Sequence, residues 1–109
     1  MRKVTIKSVE AMKSGHNTIS GNTRVHSDGN VMELHGNTIA IFNREDGLLT
    51  LRDCGWTSNT TKERLNGLLD GFNTGKYIIQ ENWNWYIKDR ANDKIKDAWE
   101  GFIVVKVGA

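Results

Sequence analysis

Apolar and polar positions alternate with a period of two through residues 22–53, and this stretch reads as four antiparallel strands of a meander. Asp28-Gly29 is a two-residue hairpin signal that sets Val25 opposite Met32 and Thr23 opposite Leu34. Taking Gly36-Asn37 as the second turn sets Leu34 opposite Ile39 and Met32 opposite Ile41. Both registers gather the same apolar set on one face. A three-residue loop, Glu45-Asp46-Gly47, then adds Leu49 and Leu51 to that face, with Gly47 in the left-handed position of a bulge; a four-residue loop would put Thr50 and Arg52 there instead. The opposite face carries Arg24, His26, Glu33, His35, Phe42, Thr50 and Arg52, with Arg24 across from Glu33, and reads as solvated or partly covered.

The period changes to 3.6 over residues 60–72. Leu65, Leu68, Leu69 and Phe72 form one stripe, Thr60 and Glu63 have capping-box spacing with Ser58 as the alternative cap, and Gly71 or Gly75 can end the helix. The leucine stripe should cover the apolar face of the meander. Residues 76–80 and 83–88 read as a second hairpin, and residues 102–107 as a final strand apolar enough to be central or well covered. Between them Ile95, Ala98 and Trp99 suggest a helical turn. Near the start, Val4 and Ile6 alternate like a strand while Ile6, Val9 and Met12 fit a helix. The expectation is an extended start and a helical turn over about residues 7–14. The expected architecture is one α+β domain over residues 1–109: an antiparallel meander packed against one amphipathic helix, then a hairpin and a final strand.

Composition narrows the class. With 38% hydrophobic and 26% charged residues, the 109-residue chain is globular. It has no apolar run of the roughly 20 residues a membrane span needs, and residues 1–30 lack a signal-peptide core, so a cytosolic location is expected. A single cysteine, Cys54, excludes an internal disulfide. A net charge of +2 does not by itself indicate nucleic-acid binding. Proline is absent, so turns fall to glycine and asparagine.

Catalytic chemistry is not expected. Cys54 follows Asp53, whose charge disfavours a thiolate, and reads as a packing cysteine. His16, His26 and His35 lack metal-ligand spacing, and the registers separate His26 from His35 along the sheet, so no metal or cofactor is expected. Gly71 to Lys76 is one residue short of a phosphate loop and follows a helix rather than a strand.

Two stretches stand out as binding candidates. Trp56 precedes the small polar run Thr57-Ser58-Asn59-Thr60-Thr61 at the helix start, followed by Lys62 and Arg64. Helix N-termini attract anions, although a capped helix with solvated cations fits the same residues. In Trp83-Asn84-Trp85-Tyr86, alternation sends Trp83 and Trp85 to one face and Asn84 and Tyr86 to the other. One pair would be core and the other either core or an exposed partner surface.

Leu34-His35-Gly36-Asn37-Thr38-Ile39-Ala40, the run Gly55-Trp56-Thr57-Ser58-Asn59-Thr60-Thr61-Lys62-Glu63-Arg64-Leu65-Asn66 and the Trp85-Tyr86 region resemble a family of small proteins encoded by tailed bacteriophages. The resemblance spans about residues 20–88. It implies an accessory protein acting in a bacterial cytoplasm, but transfers no functional residue. By analogy with small phage proteins, it points to a non-enzymatic inhibitor that occludes a host factor, including anti-CRISPR-like counter-defence. The alternative is a nucleic-acid or nucleotide binding module using residues 56–64. Sparsely charged edge strands leave open a homodimer through sheet extension.

Overall fold

A computed structural model describes residues 2–108. In chain order the elements are α1 (Lys3–Ser14), β1 (Thr18–Ser20), β2 (Thr23–His26), β3 (Val31–Leu34), β4 (Asn37–Asn43), β5 (Leu48–Arg52), α2 (Asn59–Gly71), β6 (Lys76–Glu81), β7 (Asn84–Asp89), β8 (Lys96–Ala98) and β9 (Phe102–Lys106). They form a six-stranded sheet, ordered β1-β2-β3-β4-β5-β9, and a three-stranded sheet, β6-β7-β8. The fold class is α+β, and the strand pairings among the described residues are antiparallel.

The meander forms as its alternation requires, with Val25 opposite Met32 and Thr23 opposite Leu34. The second turn differs from expectation. His35 and Gly36, with φ of 51° and 80°, make the two-residue turn, so Leu34 pairs with Asn37 and Met32 with Ala40. The pairing skips Ile39, which is the extra residue of a bulge. Ile39 and Ala40 therefore both point inward, and every later side chain of β4 changes face. Ile41 turns outward, while Phe42 turns inward onto Phe72, with ring centroids 4.8 Å apart. The next loop is then four residues long, between Asn43 and Leu48, with Gly47 left-handed as expected. The bulge and the longer loop offset each other, so Leu49 and Leu51 still reach the core.

Three further elements depart from the sequence reading. The N-terminal segment is a three-turn helix burying Thr5, Ser8, Val9 and Met12, so two helices cover the sheet rather than one. The segment expected to hold a helical turn is strand β8. The final strand is an edge, with Phe102 and Val104 exposed and Val105 buried.

α2 begins at Ser58, whose side chain accepts from the Thr61 amide at 3.1 Å; the alternative cap is the one used. The leucine stripe is fully buried. Gly71 lets α1 approach: a Cβ there would lie 2.5 Å from Val9 Cγ1. The small sheet is tied to α2 by Asn66. Its amide donates to Ile78 O at 3.0 Å, and its carbonyl accepts from Ile78 N at 2.7 Å, as a neighbouring strand would.

Candidate functional site

The start of α2 builds a groove. Beyond β5 the chain turns sharply through Cys54 and Gly55, both left-handed, with φ of 56° and 82°. Buried Asp53 holds this turn: one carboxylate oxygen accepts from Gly55 N and the other from Trp99 Nε1, both at 2.8 Å. The Trp56 amide also donates to Asp53 O at 2.9 Å. The turn delivers the Trp56 indole to the surface, 64% exposed. The cavity it borders, about 470 Å³, is also lined by Leu34 of β3, His35 of the β3–β4 turn, Asn37 and Ile39 of β4, and Ser58, Thr60 and Thr61 at the helix start. Its inner surface offers apolar contact and hydroxyl hydrogen bonds. The Asp53 carboxylate also borders it and disfavours an anion.

The two cations expected here are committed elsewhere. Lys62 donates to Gln80 Oε1 at 3.0 Å, toward the small sheet. Arg64 is not solvated at all: it is 2% exposed and lies between α1, α2 and β2. Its Nη1 donates to Thr5 Oγ1 at 2.6 Å and to the Glu63 carboxylate, its Nε to Thr23 Oγ1 at 3.0 Å, and its Nη2 to Asn22 Oδ1 at 3.4 Å. Glu63 also accepts from Thr5 Oγ1 and, at 2.8 Å, from the Arg2 amide. Burial acts to raise the Glu63 pKa. The Thr5 and Arg2 hydrogen bonds and the Arg64 charge outweigh it and hold the carboxyl below its ordinary value of 4.5. Arg64 was foreshadowed by a helical pattern: Thr61, Arg64, Leu65 and Leu68 occupy i, i+3, i+4 and i+7 of one stripe.

The aromatic quartet divides by position in the hairpin. Asn82 and Trp83 form the β6–β7 turn with φ of 49° and 68°, and Trp83 is 88% exposed. Trp85 is buried against Trp99, with centroids 6.3 Å apart, so it is core rather than partner surface, and Trp83 does not share its environment. Tyr86 is half-buried beneath Lys96, whose Nζ lies 4.7 Å from the ring centroid. Asn59 is exposed at the first residue of α2. Of the expected contact residues, the groove thus assembles Trp56, Ser58, Thr60 and Thr61, while Trp83 stands at a separate turn and Arg64 and Trp85 are withdrawn from solvent.

Cys54, expected to be packed, is exposed; its Sγ donates to Thr38 O at 3.0 Å. His26 Nε2 lies 3.0 Å from Glu33 Oε2, and His35 Nε2 lies 3.3 Å from Asn22 Nδ2, so the two imidazoles have different partners. Among the described residues no group of three His, Cys, Asp or Glu converges as a metal site, and no helix is long and apolar enough to cross a membrane.

The family model described as Kyanoviridae Gp96 protein matches residues 1–105. No curated protein and no solved structure matches the chain.

Proposed function

The chain belongs to the Kyanoviridae Gp96 protein family, a phage family, and on that premise we propose that it is a phage accessory protein that binds and occludes a host factor in the bacterial cytoplasm and performs no chemistry of its own. The observation that carries this reading is Trp83. Asn82-Trp83 is a turn with two left-handed residues, where glycine is the favoured second residue. A tryptophan held there costs on the order of 1–3 kcal/mol of backbone strain. With its side chain 88% in water, it contributes almost nothing to the core in return. Tryptophan is enriched among the residues that dominate protein interfaces, and a bound partner is the role that supports keeping an indole there. The Trp56 groove supplies a second place for a partner's apolar side chain.

The test separates binding from folding. Trp83→Gly relieves the turn and should raise the melting temperature by about 4 °C per kcal/mol recovered. In the same variant, capture of a host protein from lysate should be lost. A more stable protein that no longer binds supports the reading. Capture unchanged in both Trp83→Gly and Trp56→Ala, or no host protein captured by the unaltered chain, overturns it. Retention by single-stranded oligonucleotides that falls steeply with salt would replace it with nucleic-acid binding.

A further inference from the structure

The six-stranded sheet ends at β9 with an open margin. Asp53 N donates to Gly101 O at 3.0 Å, and Val107 N donates to Gly47 O at 2.9 Å. Bonded positions alternate along an antiparallel ladder, so Ile103 and Val105 also face β5. Phe102, Val104 and Lys106 therefore turn their N–H and C=O groups outward. None of these groups has a backbone partner among the described residues. The same three residues place their side chains on the sheet face that neither helix covers; Phe102 is 62% and Val104 50% exposed. Edge strands are ordinarily blunted by proline, an internal charge or a bulge. β9 has none of these, and its one charge, Lys106, is at its end.

We infer that β9 pairs antiparallel with β9 of a second copy of this chain, about a twofold axis at Val104. The register is self-complementary. Val104 meets Val104 of the second copy, and Phe102 meets its Lys106. The three outward positions coincide with three hydrogen-bonded pairs, about six inter-chain bonds. This register keeps the two Lys106 side chains apart, at opposite ends of the paired strands, with each ammonium still donating to Asp46 O of its own chain. Across the uncovered face, the in-register row Val31, Ile41, Thr50 and Val104 continues into its own mirror sequence in the second copy. A second copy thus fits this margin in backbone and apolar surface together, with no like charges brought face to face.

Sedimentation of the unaltered chain should give twice the chain mass, dissociating on dilution. Val104→Lys sets two like charges face to face at the axis and should raise the dissociation midpoint at least about tenfold. Position 104 is half exposed, so the melting curve of a dilute sample should stay in place. Mixing Val104→Lys with Val104→Glu should restore a dimer. In a Cys54→Ser background, Val104→Cys should cross-link under oxidation, because hydrogen-bonded antiparallel pairs bring Cα atoms to about 5.5 Å, within disulfide range. A chain that sediments as a monomer up to millimolar concentration overturns the pairing. So does a dimer indifferent to Val104→Lys, or one that forms without cross-linking at position 104.

Discussion

Arg64→Met removes the charge at the centre of the molecule while keeping a long side chain. The guanidinium joins three segments far apart in sequence: Thr5 of α1, its own helix α2, and Asn22 and Thr23 at the start of β2. Two opposing effects decide the outcome. Taking an arginine out of water is expensive, so its loss recovers desolvation free energy. Its loss also leaves the Thr5 and Thr23 hydroxyls, both fully buried, and the Glu63 carboxylate, whose side chain is 24% exposed, short of a donor. Removing one partner from a buried pair costs about 3–5 kcal/mol, and the second effect wins. For a chain of this length that is a fall in melting temperature of about 13–22 °C, a large part of the 5–15 kcal/mol that holds a domain together. Urea titration at pH 7 measures it. The double variant Arg64→Met with Glu63→Gln should cost clearly less than the sum of the two single changes, because the carboxylate no longer needs the cation. A loss below about 1 kcal/mol in Arg64→Met, or strict additivity in the pair, would refute the claim that this network secures α1.

The same network sets a pH dependence. The folded pKa of Glu63 lies below its unfolded value, so its stabilisation is complete above about pH 4.5 and is lost as pH falls through the folded value; acid unfolding followed by circular dichroism should show this loss, and Glu63→Gln should flatten that limb. Gly71→Ala drives a methyl into buried Val9 and should cost about 1–3 kcal/mol by overpacking, although alanine is the better helix former; a stabilised variant would show that α1 simply shifts aside. Cys54 should react with a thiol reagent in the native state at close to one equivalent per chain, and a thiol labelled only after unfolding would contradict its exposure. Cys54→Gly should stabilise by about 1 kcal/mol, since it removes a side chain from a left-handed position.

Sequence periodicity was informative wherever one face of an element is plainly apolar. The leucine stripe of α2 follows from period, and the strands of the meander and of the β6–β7 hairpin follow from period with turn residues, though the second turn of the meander, its third loop and the place of Trp83 do not. It misled where polar groups take core positions. Half of the buried positions of α1 are hydroxyl residues, Thr5 and Ser8, while Ile6 is half exposed, so the alternation of Val4 and Ile6 resembled a strand. The inward position of Arg64 is legible in the stripe it shares with Thr61, Leu65 and Leu68, but its partners, 41 and 59 residues away, lie outside any local window. The bulge at Ile39 was invisible for another reason. Its reversal of faces was undone by the longer loop at Asn43–Leu48, and two offsetting errors leave the apolar pattern intact. At the groove, the residues of one continuous segment were legible, but His35 and Asn37 reach it through a turn placed one residue away from its expected position.

The four indoles sit in different surroundings, and that division gives the protein a built-in optical gauge. Trp56 and Trp83, facing water, should emit at long wavelength and be open to iodide; Trp85, sealed against Trp99, should emit further to the blue and be shielded from it. An event at the surface alters the red, quenchable part of the spectrum, while melting of the interior alters the blue part. One unlabelled cuvette therefore distinguishes engagement of a ligand from collapse of the scaffold.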